Sequence, residues 1–175
     1  VLRAVRAHFD QRAFIEVDTP QLVPSPGLDL HLDAMSGEPT ADAPRWLITS
    51  PEYQMKRLLS AGLPRIYQIA HCFRRGERGE RHEPEFSMLE WYRTFAGVKE
   101  IMRDTEELVA HVARAVHDGS TVVPGIDQPI DVAPPWERLT VAEAFERYAS
   151  VKLADVVGDD ETFFRAWSAE VEPQL

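Results

Sequence analysis

The sequence has almost no cysteine and no long apolar run. Cys72 is the only cysteine among 175 residues, so an intrachain disulfide and a metal site made of several cysteines are both excluded. We expect Cys72 to be a small core residue rather than a nucleophile. No apolar stretch is long enough to cross a bilayer or to form the core of a signal peptide. These absences predict a cytoplasmic protein with no membrane partner.

The sequence also lacks an overall positive charge. It contains 19 Lys and Arg against 29 Asp and Glu, for a formal net charge of −10, which argues against a broad basic surface for nucleic acid. One segment departs from this balance, because it holds a cluster of arginines: Arg74, Arg75, Arg78 and Arg81. An acidic protein that concentrates arginine in one loop is suited to binding a small polyanion there, although a solvated charged turn would give the same pattern.

Two common nucleotide-binding motifs are absent as well. Neither GxxxxGKS/T nor GxGxxG occurs, so the sequence gives no support for a P-loop or a Rossmann phosphate site. A hydrophobic content of 44% is enough for a sizeable core, and the length suits one domain or the larger part of one. If this folded domain binds a nucleotide, it must do so through another arrangement of residues.

Apolar periodicity and capping residues predict a mixture of helices and strands. Helices are predicted from Val1 to Phe9, from Ser50 to Gly62, from Met102 to Val116, from Leu139 onward and around Phe163. Strands are predicted at 14–18, 30–32, 46–48 and 65–74, with a further one from Glu85. Thr140 and Glu143 have the spacing of a helix capping box. The segment 21–45 is rich in proline and glycine, and we expect it to be mostly loop.

The most informative segment runs from Phe73 to Tyr92. A predicted strand ends in arginine, a charged loop with glycines follows, and a second strand begins at Glu85. Because side chains alternate along a strand, residues 86, 88, 90 and 92 share one face. That face would carry the Glu90 carboxylate between two aromatic rings, which a plain core strand would avoid because burying an unpaired charge is costly. We expect it to be the floor of a pocket that receives a cation and a flat group.

The polar residues around this face predict subsites. The fork of Arg74 is a natural bidentate partner for a phosphate, and His82 can bind a second one. If the two strands pair as a hairpin, Arg74 projects over the same face as Phe86, whose ring could stack on a planar base. Glu90 and Tyr92 could hold an ammonium group by charge and hydrogen bonding.

A second carboxylate, that of Glu52, stands at a predicted helix start after a loop. Phosphate, purine and amine would then occupy adjacent subsites. Fixed arginines in such a site would stabilise the charge of a phosphoryl or adenylyl transition state.

Three segments resemble the class II aminoacyl-tRNA synthetases. Phe14–Pro20 is similar to their motif 1, and Phe73–Glu90 is similar to their motif 2, with the loop length of the lysyl branch of the aspartate, lysine and asparagine subgroup. Thr49–Leu58 also matches that branch. Within it, the closest resemblance is to the shortened paralogue, the elongation factor P (R)-β-lysine ligases, and it rests on three segments: Asp29–Leu32, Ser50–Tyr53 and Met88–Arg93.

The resemblance implies an α+β fold, a class II synthetase-like antiparallel sheet flanked by helices, that is incomplete in this chain. Residues 1–117 would form the N-terminal part of the catalytic core with motifs 1 and 2, 118–135 a linker or hairpin, and 136–175 a helical insertion. Motif 3 is absent from this sequence, as are the acidic residues near it that bind Mg²⁺. We therefore expect the intact gene product to continue about 100 residues or more past Leu175, and the chain alone to be inactive.

The resemblance also implies roles for residues in an ATP site. Arg74 would be the catalytic residue that grips the α-phosphate of ATP and the substrate carboxylate. His82 would contact the terminal phosphates, and Phe86 would stack on adenine. The family usually has glutamate where this sequence has Gly76, and Glu77 would take over its contact with ATP from the next position. Glu83, where asparagine is usual, is a second departure.

For the amino-acid substrate, the resemblance implies a lysine-like molecule with two amines. Glu52 would meet the α-side amine, while Glu90 and Tyr92 would hold the side-chain ammonium. Pro20 would lie at the interface of a homodimer. The cofactors implied are ATP and Mg²⁺, with the metal ligands in the absent C-terminal part.

Three functional hypotheses follow. The first is an ATP-dependent ligase that activates lysine or β-lysine as an adenylate and transfers it to a lysine of elongation factor P. The second is the catalytic domain of a lysyl-tRNA synthetase. The third is a non-catalytic paralogue that binds partners. The acidic charge makes tRNA the less favoured partner, so the sequence favours the first hypothesis.

Overall fold

A computed structural model describes residues 1–28, 30–40, 43–126 and 128–174. The chain divides into two units, Val1–Pro134 and Pro135–Leu175. In the described part of the chain, no helix has both the length and the apolar composition needed to cross a membrane.

The first unit is built on a hairpin of two long strands, β5 (Arg65–Phe73) and β6 (Glu85–Arg93). They pair antiparallel without a shift, from Arg65 opposite Arg93 to Phe73 opposite Glu85. On the other side of β5 lies the short parallel strand β1 (Ile15–Glu16). Since the register is unbroken, even-numbered side chains of both strands share one face and odd-numbered side chains share the other. The two strands predicted here are confirmed, and they pair as the hairpin that was the condition for placing Arg74 over the face of Phe86.

The odd-numbered face of the hairpin packs against two helices, α1 (Leu2–Asp10) and α3 (Val98–Val116). Phe9 of α1 stacks on Tyr67 of β5, with ring centroids 4.5 Å apart. The other members of this core are Val5, Phe14 and Leu108, with Ile69, Leu89, Trp91 and Val112 at its edge. Helix α3 begins earlier than the predicted Met102, because the Glu100 carboxylate accepts a hydrogen bond from the Gly97 N–H at 2.8 Å and caps the first turn.

The even-numbered face packs against a second small sheet and its neighbours. That sheet contains β2 (Leu22–Val23), β3 (Ser36–Thr40) and β4 (Ala43–Leu47), with β4 in the middle. Val23 and Ile48 form a core cluster with Ala70 and Cys72 of β5, and Phe86 and Met88 of β6 border it. Cys72 is fully buried, as expected for a core residue.

The segment between β1 and α2 (Glu52–Ser60) departs most from the sequence-based expectations. The strand predicted at 30–32 is wrong: Leu30 lies in a turn with 94% of its surface exposed, and among the described residues no strand pairs with Leu30 or Leu32. Pairing begins instead at Ser36, opposite Trp46. The strands predicted at 14–18 and 46–48 exist with other bounds, as β1 and β4, and Asp29 lies outside the described residues.

Beyond α3, the first unit continues into a short antiparallel hairpin of β7 (Val122–Val123) and β8 (Ile130–Asp131). The second unit is helical. Its helix α4 (Val141–Ala144) begins with the predicted capping box, in which Thr140 and Glu143 bond each other's backbone N–H. Single π or 3₁₀ turns follow at Phe145–Ala149, Leu153–Asp155, Trp167–Val171 and Glu172–Gln174, and α5 (Asp160–Ala166) lies among them.

The core of the second unit forms around Phe145, which is fully buried. Its ring lies 5.2 Å from that of Phe163 and 6.1 Å from that of Trp167. Helix α5 confirms the helix predicted around Phe163; Phe163 and Trp167 pack in this core, whereas Phe164 is exposed.

One buried polar residue stands out at the contact between α1 and α3. His8 is fully buried, and neither of its ring nitrogens has a hydrogen-bond partner among the residues that the structure describes. Its ring lies 5.3 Å from that of His111. The pKa of His8 is lowered from 6.5 to about 4, mainly by burial and in smaller part by the charges of Arg12 and His111, while Glu107 opposes them. The fold therefore holds His8 in its neutral form.

We predict that this histidine makes stability depend on pH. The folded-state pKa of His8 lies below its unfolded value. The free energy of unfolding that comes from the neutral form of His8 is therefore complete above pH 6.5 and is lost as the pH falls toward 4. The loss should approach about 3 kcal/mol. Denaturant unfolding of wild type and His8→Leu at pH 7 and pH 4.5 measures it: the variant should lose less stability than wild type. The exposed His31→Leu is the matched control, and an equal loss in all three proteins would contradict the prediction.

Candidate functional site

The even-numbered face of the hairpin carries Arg74 at the end of β5 and Phe86 at the start of β6. The Arg74 guanidinium carbon lies 5.0 Å from the centroid of the Phe86 ring, which is half-buried. Arg74 Nε donates to the carbonyl oxygen of Thr49 at 3.4 Å, and an Arg74 terminal nitrogen lies 3.6 Å from a Glu77 carboxylate oxygen. The arginine is thus held over the ring by neighbours on two sides, and this end of the face can receive an anion.

The loop between β5 and β6 explains the position of Glu77. Gly76 has φ +81°, a left-handed conformation that favours glycine. This turn brings Glu77 against Arg74, whereas a glutamate at position 76 would be strained. His82 lies exposed at the loop tip, where its carbonyl oxygen accepts a hydrogen bond from the Gly79 N–H at 3.0 Å. Among the described residues, these contacts bring together Arg74, Glu77 and Phe86 but not the His82 side chain.

Further along β6, Glu90 and Tyr92 form the second part of the site. The Tyr92 hydroxyl donates to one Glu90 carboxylate oxygen at 2.8 Å, and the Ser50 hydroxyl donates to the other. Both donors are neutral hydroxyl groups, so they orient the carboxylate without forming an ion pair with it. Burial raises the pKa of the Tyr92 hydroxyl, and its bond to Glu90 raises it further. This end of the face can therefore hold a cation.

Helix α2 brings a second carboxylate to the same place. Its first residue is Glu52, whose backbone N–H donates to the Ser50 hydroxyl oxygen at 3.1 Å. The Glu52 carboxylate forms an ion pair with Lys56, one helical turn later. The Lys56 ammonium in turn lies 5.9 Å from the centroid of the Tyr92 ring. Lys56 thus links Glu52, predicted from the sequence to meet one amine of the substrate, to Tyr92, which was predicted with Glu90 to hold the other.

Two adjacent residues join the anion end to the amine end. The carbonyl group of Thr49 contacts Arg74, and the hydroxyl group of Ser50 contacts Glu90. Thr49 is buried and Ser50 half-buried, so the peptide between them sets the spacing of the two subsites. The two ends therefore form one site.

Sequence reasoning missed two members of this site. It assigned Ser50 only to the start of a helix. In the structure the Ser50 hydroxyl also donates a hydrogen bond to the Glu90 carboxylate. It gave Lys56 no role, although the spacing of Glu52 and Lys56 is that of an i,i+4 ion pair on a helix and could have indicated the contact.

Pro20 lies apart from these contacts. It is exposed and directly follows Thr19, whose hydroxyl donates to the Gln68 side-chain carbonyl at 3.0 Å. Gln68 is buried on β5, opposite Glu90 in the register. The end of the first motif is thereby fixed to the floor of the site. The role predicted for Pro20 in a dimer stays a prediction.

The described residues contain no group of three or more His, Cys, Asp or Glu side chains placed to hold a metal ion. The groups of the site in this part of the chain are Arg74, the half-buried ring of Phe86, Tyr92, Ser50, Lys56 and the carboxylates of Glu52, Glu77 and Glu90.

The fold and the site define a class of protein. Residues 1–167 match the family described as tRNA synthetases class II (D, K and N), and the chain belongs to this family. The α+β class II synthetase fold predicted from the sequence is thereby confirmed.

Several proteins similar to this chain are lysine–tRNA ligases. The chain is 37% identical over 177 aligned residues to a lysine–tRNA ligase of Moorella thermoacetica, covering 100% of this chain and 36% of that protein. It is 35% identical over 156 residues to the lysine–tRNA ligase of Magnetococcus marinus, covering 89% and 31%. The lysine–tRNA ligase of Bacillus subtilis is 33% identical over 172 residues, covering 98% and 34%. The chain spans about a third of the length of these curated relatives.

Cys72 provides a chemical probe of the site floor. It lies directly opposite Phe86 in the hairpin, and burial raises the pKa of its thiol to about 11. At pH 8 we expect iodoacetamide to leave Cys72 unmodified in the folded protein and to modify it fully in guanidinium chloride, as measured by mass spectrometry of its peptide. Equal labelling rates in the two conditions would contradict the burial of this strand pair.

Proposed function

We propose that the protein to which this chain belongs activates lysine with ATP and transfers the lysyl group to tRNA. In the first step, the lysine carboxylate attacks the α-phosphorus of ATP, forming lysyl-adenylate and releasing pyrophosphate. In the second, a hydroxyl of tRNA attacks the carbonyl carbon and AMP leaves. The observation that carries the proposal is the joining of an anion subsite at Arg74 to a two-carboxylate amine subsite through Thr49 and Ser50.

The anion end supports the first step. Arg74 is held by Thr49 and Glu77 and is positioned before any ligand arrives. A fixed guanidinium can stabilise the charge that develops on the α-phosphate and can neutralise the carboxylate that attacks it. Phe86 is proposed to stack on adenine. Glu77 and His82 are proposed to contact ATP, the latter at the terminal phosphates, where its exposed position in the loop leaves it accessible.

The amine end supports lysine as the substrate. Neither hydrogen-bond donor of Glu90 is a cation, and a half-buried carboxylate of this kind favours a cationic partner over a neutral one. Glu52 supplies a second carboxylate for a second amine. A substrate with a side-chain ammonium and an α-amine suits this pair, whereas a substrate with one amine would leave a carboxylate without its partner.

The acceptor is proposed from the relatives. Those reported above are lysine–tRNA ligases, so they favour tRNA over elongation factor P, the acceptor that the sequence favoured. The family implies ATP with Mg²⁺, and we propose that the ATP phosphates share the metal with residues outside the described part of the chain. A homodimer with Pro20 at its interface is part of the same proposal, supported by the exposure of Pro20 and Ile15 beside the edge strand β1.

The acceptor can be determined with the complete protein. We expect it to catalyse lysine-dependent exchange of pyrophosphate into ATP and to transfer radioactive lysine to tRNA. Labelling of elongation factor P in place of tRNA, with preference for β-lysine, would show that the acceptor is wrong while adenylate formation is right. No exchange with any amino acid would favour a non-catalytic paralogue and would overturn the proposal.

The role of Glu90 gives a residue-level prediction. Glu90→Gln keeps the shape and removes the charge, so the KM for lysine in the exchange reaction should rise about ten- to a hundredfold, while the KM for ATP stays within about twofold. The matched control is Glu85→Gln on the same strand, because Glu85 lies on the opposite face, exposed, 3.4 Å from His71. If both variants raise the two KM values equally, Glu90 supports only the fold.

A further inference from the structure

We propose that Lys56 is a resident cation of the amine site, which the α-amine of the substrate must displace from Glu52. The inference deepens the proposed function, on which it rests, and it concerns how the affinity of the same site for lysine is set. Lys56 would act as a tethered competitor: its ammonium occupies Glu52 whenever substrate is absent.

The position of the ammonium group carries the inference. It pairs with the Glu52 carboxylate and lies 5.9 Å from the centroid of the Tyr92 ring. Tyr92 is the residue that donates to Glu90. The ammonium therefore contacts one of the two carboxylates proposed to bind the amines of lysine and lies near the tyrosine that donates to the other. An ordinary surface pair on a helix would face solvent on all other sides, whereas this one borders the site.

The electrostatics agree with that position. The bond to Glu52 raises the pKa of Lys56, and the charges of Glu52 and Glu90 add to the effect. Lys56 therefore stays protonated at neutral pH, with Glu52 as its main partner. It is suited to occupying the site as a cation and unsuited to acting as a nucleophile.

The contact is also replaceable. The side chains of Glu52 and Lys56 are 40% and 54% exposed, and ion pairs of this kind contribute little to stability because water and salt screen them. A substrate that brings its own ammonium to Glu52 can therefore exchange with Lys56, at the cost of releasing a long, flexible side chain into solvent. The affinity for lysine is lowered by that competition.

The competition affects only ligands that use Glu52. Lysine would displace Lys56 with its α-amine. Its analogue 6-aminohexanoate has the carboxylate and the distal ammonium but lacks the α-amine, so it could bind Glu90 and leave Lys56 in place. This difference separates a resident cation from a residue that merely stabilises helix α2.

The test is calorimetric binding of both ligands to the complete protein. Lys56→Gln should bind lysine about two- to fivefold more tightly than wild type and 6-aminohexanoate with unchanged affinity. Lys56→Arg, which keeps the charge, should resemble wild type. Arg57→Gln removes the same charge from the next position of the helix and should leave both affinities unchanged. In a Glu52→Gln background, Lys56→Gln should no longer affect lysine binding.

Three outcomes would overturn the inference. Unchanged lysine affinity in Lys56→Gln would make the pair purely structural, and weaker lysine binding would show that Lys56 orders Glu52 for the substrate. An equal gain for both ligands would indicate a general change of charge. These results leave the proposed function standing, because wild type would still bind lysine; failure of wild type to bind lysine would overturn both proposals.

Discussion

The site depends on the unbroken antiparallel register of β5 and β6. Because the register has no shift, the pairing of Cys72 with Phe86 also places Gln68 opposite Glu90. A slip of one residue would turn the Glu90 carboxylate toward α1 and α3, into a core that contains Phe9 and Tyr67. The cost of burying that charge excludes the slipped pairing. The residue proposed to bind a cation thus also helps to select the register of the sheet.

The second constraint is the short connection that leads into α2. Thr49 and Ser50 are neighbours in sequence, yet one contacts the arginine at the anion end and the other contacts the carboxylate at the amine end. The distance between the proposed phosphate and amine subsites is therefore set by a single peptide of this connection, between the buried Thr49 and the half-buried Ser50. A site held in this way can align a carboxylate with a phosphate without reorganising when both ligands arrive.

Much of this arrangement could be predicted from the sequence, because it follows from period-two alternation and helix capping. Phe86, Glu90 and Tyr92 on one face, and the capping box of Thr140, are local patterns. What could not be predicted depends on partners distant in the chain. Leu30 had the alternation of a strand, but no strand in the described part of the chain pairs with it. The bond from Ser50 to Glu90 spans 40 positions, and only the fold brings these two residues together.

The central claim is that the even-numbered face of the β5–β6 hairpin binds both nucleotide and lysine. A crystal structure of the complete protein with lysine and a non-hydrolysable ATP analogue tests it most directly. The account predicts the lysine side-chain ammonium within hydrogen-bonding distance of Glu90, its α-amine at Glu52 with Lys56 displaced, and the α-phosphate at Arg74. Lysine bound away from Glu90, or nucleotide on the other face of the hairpin, would contradict it.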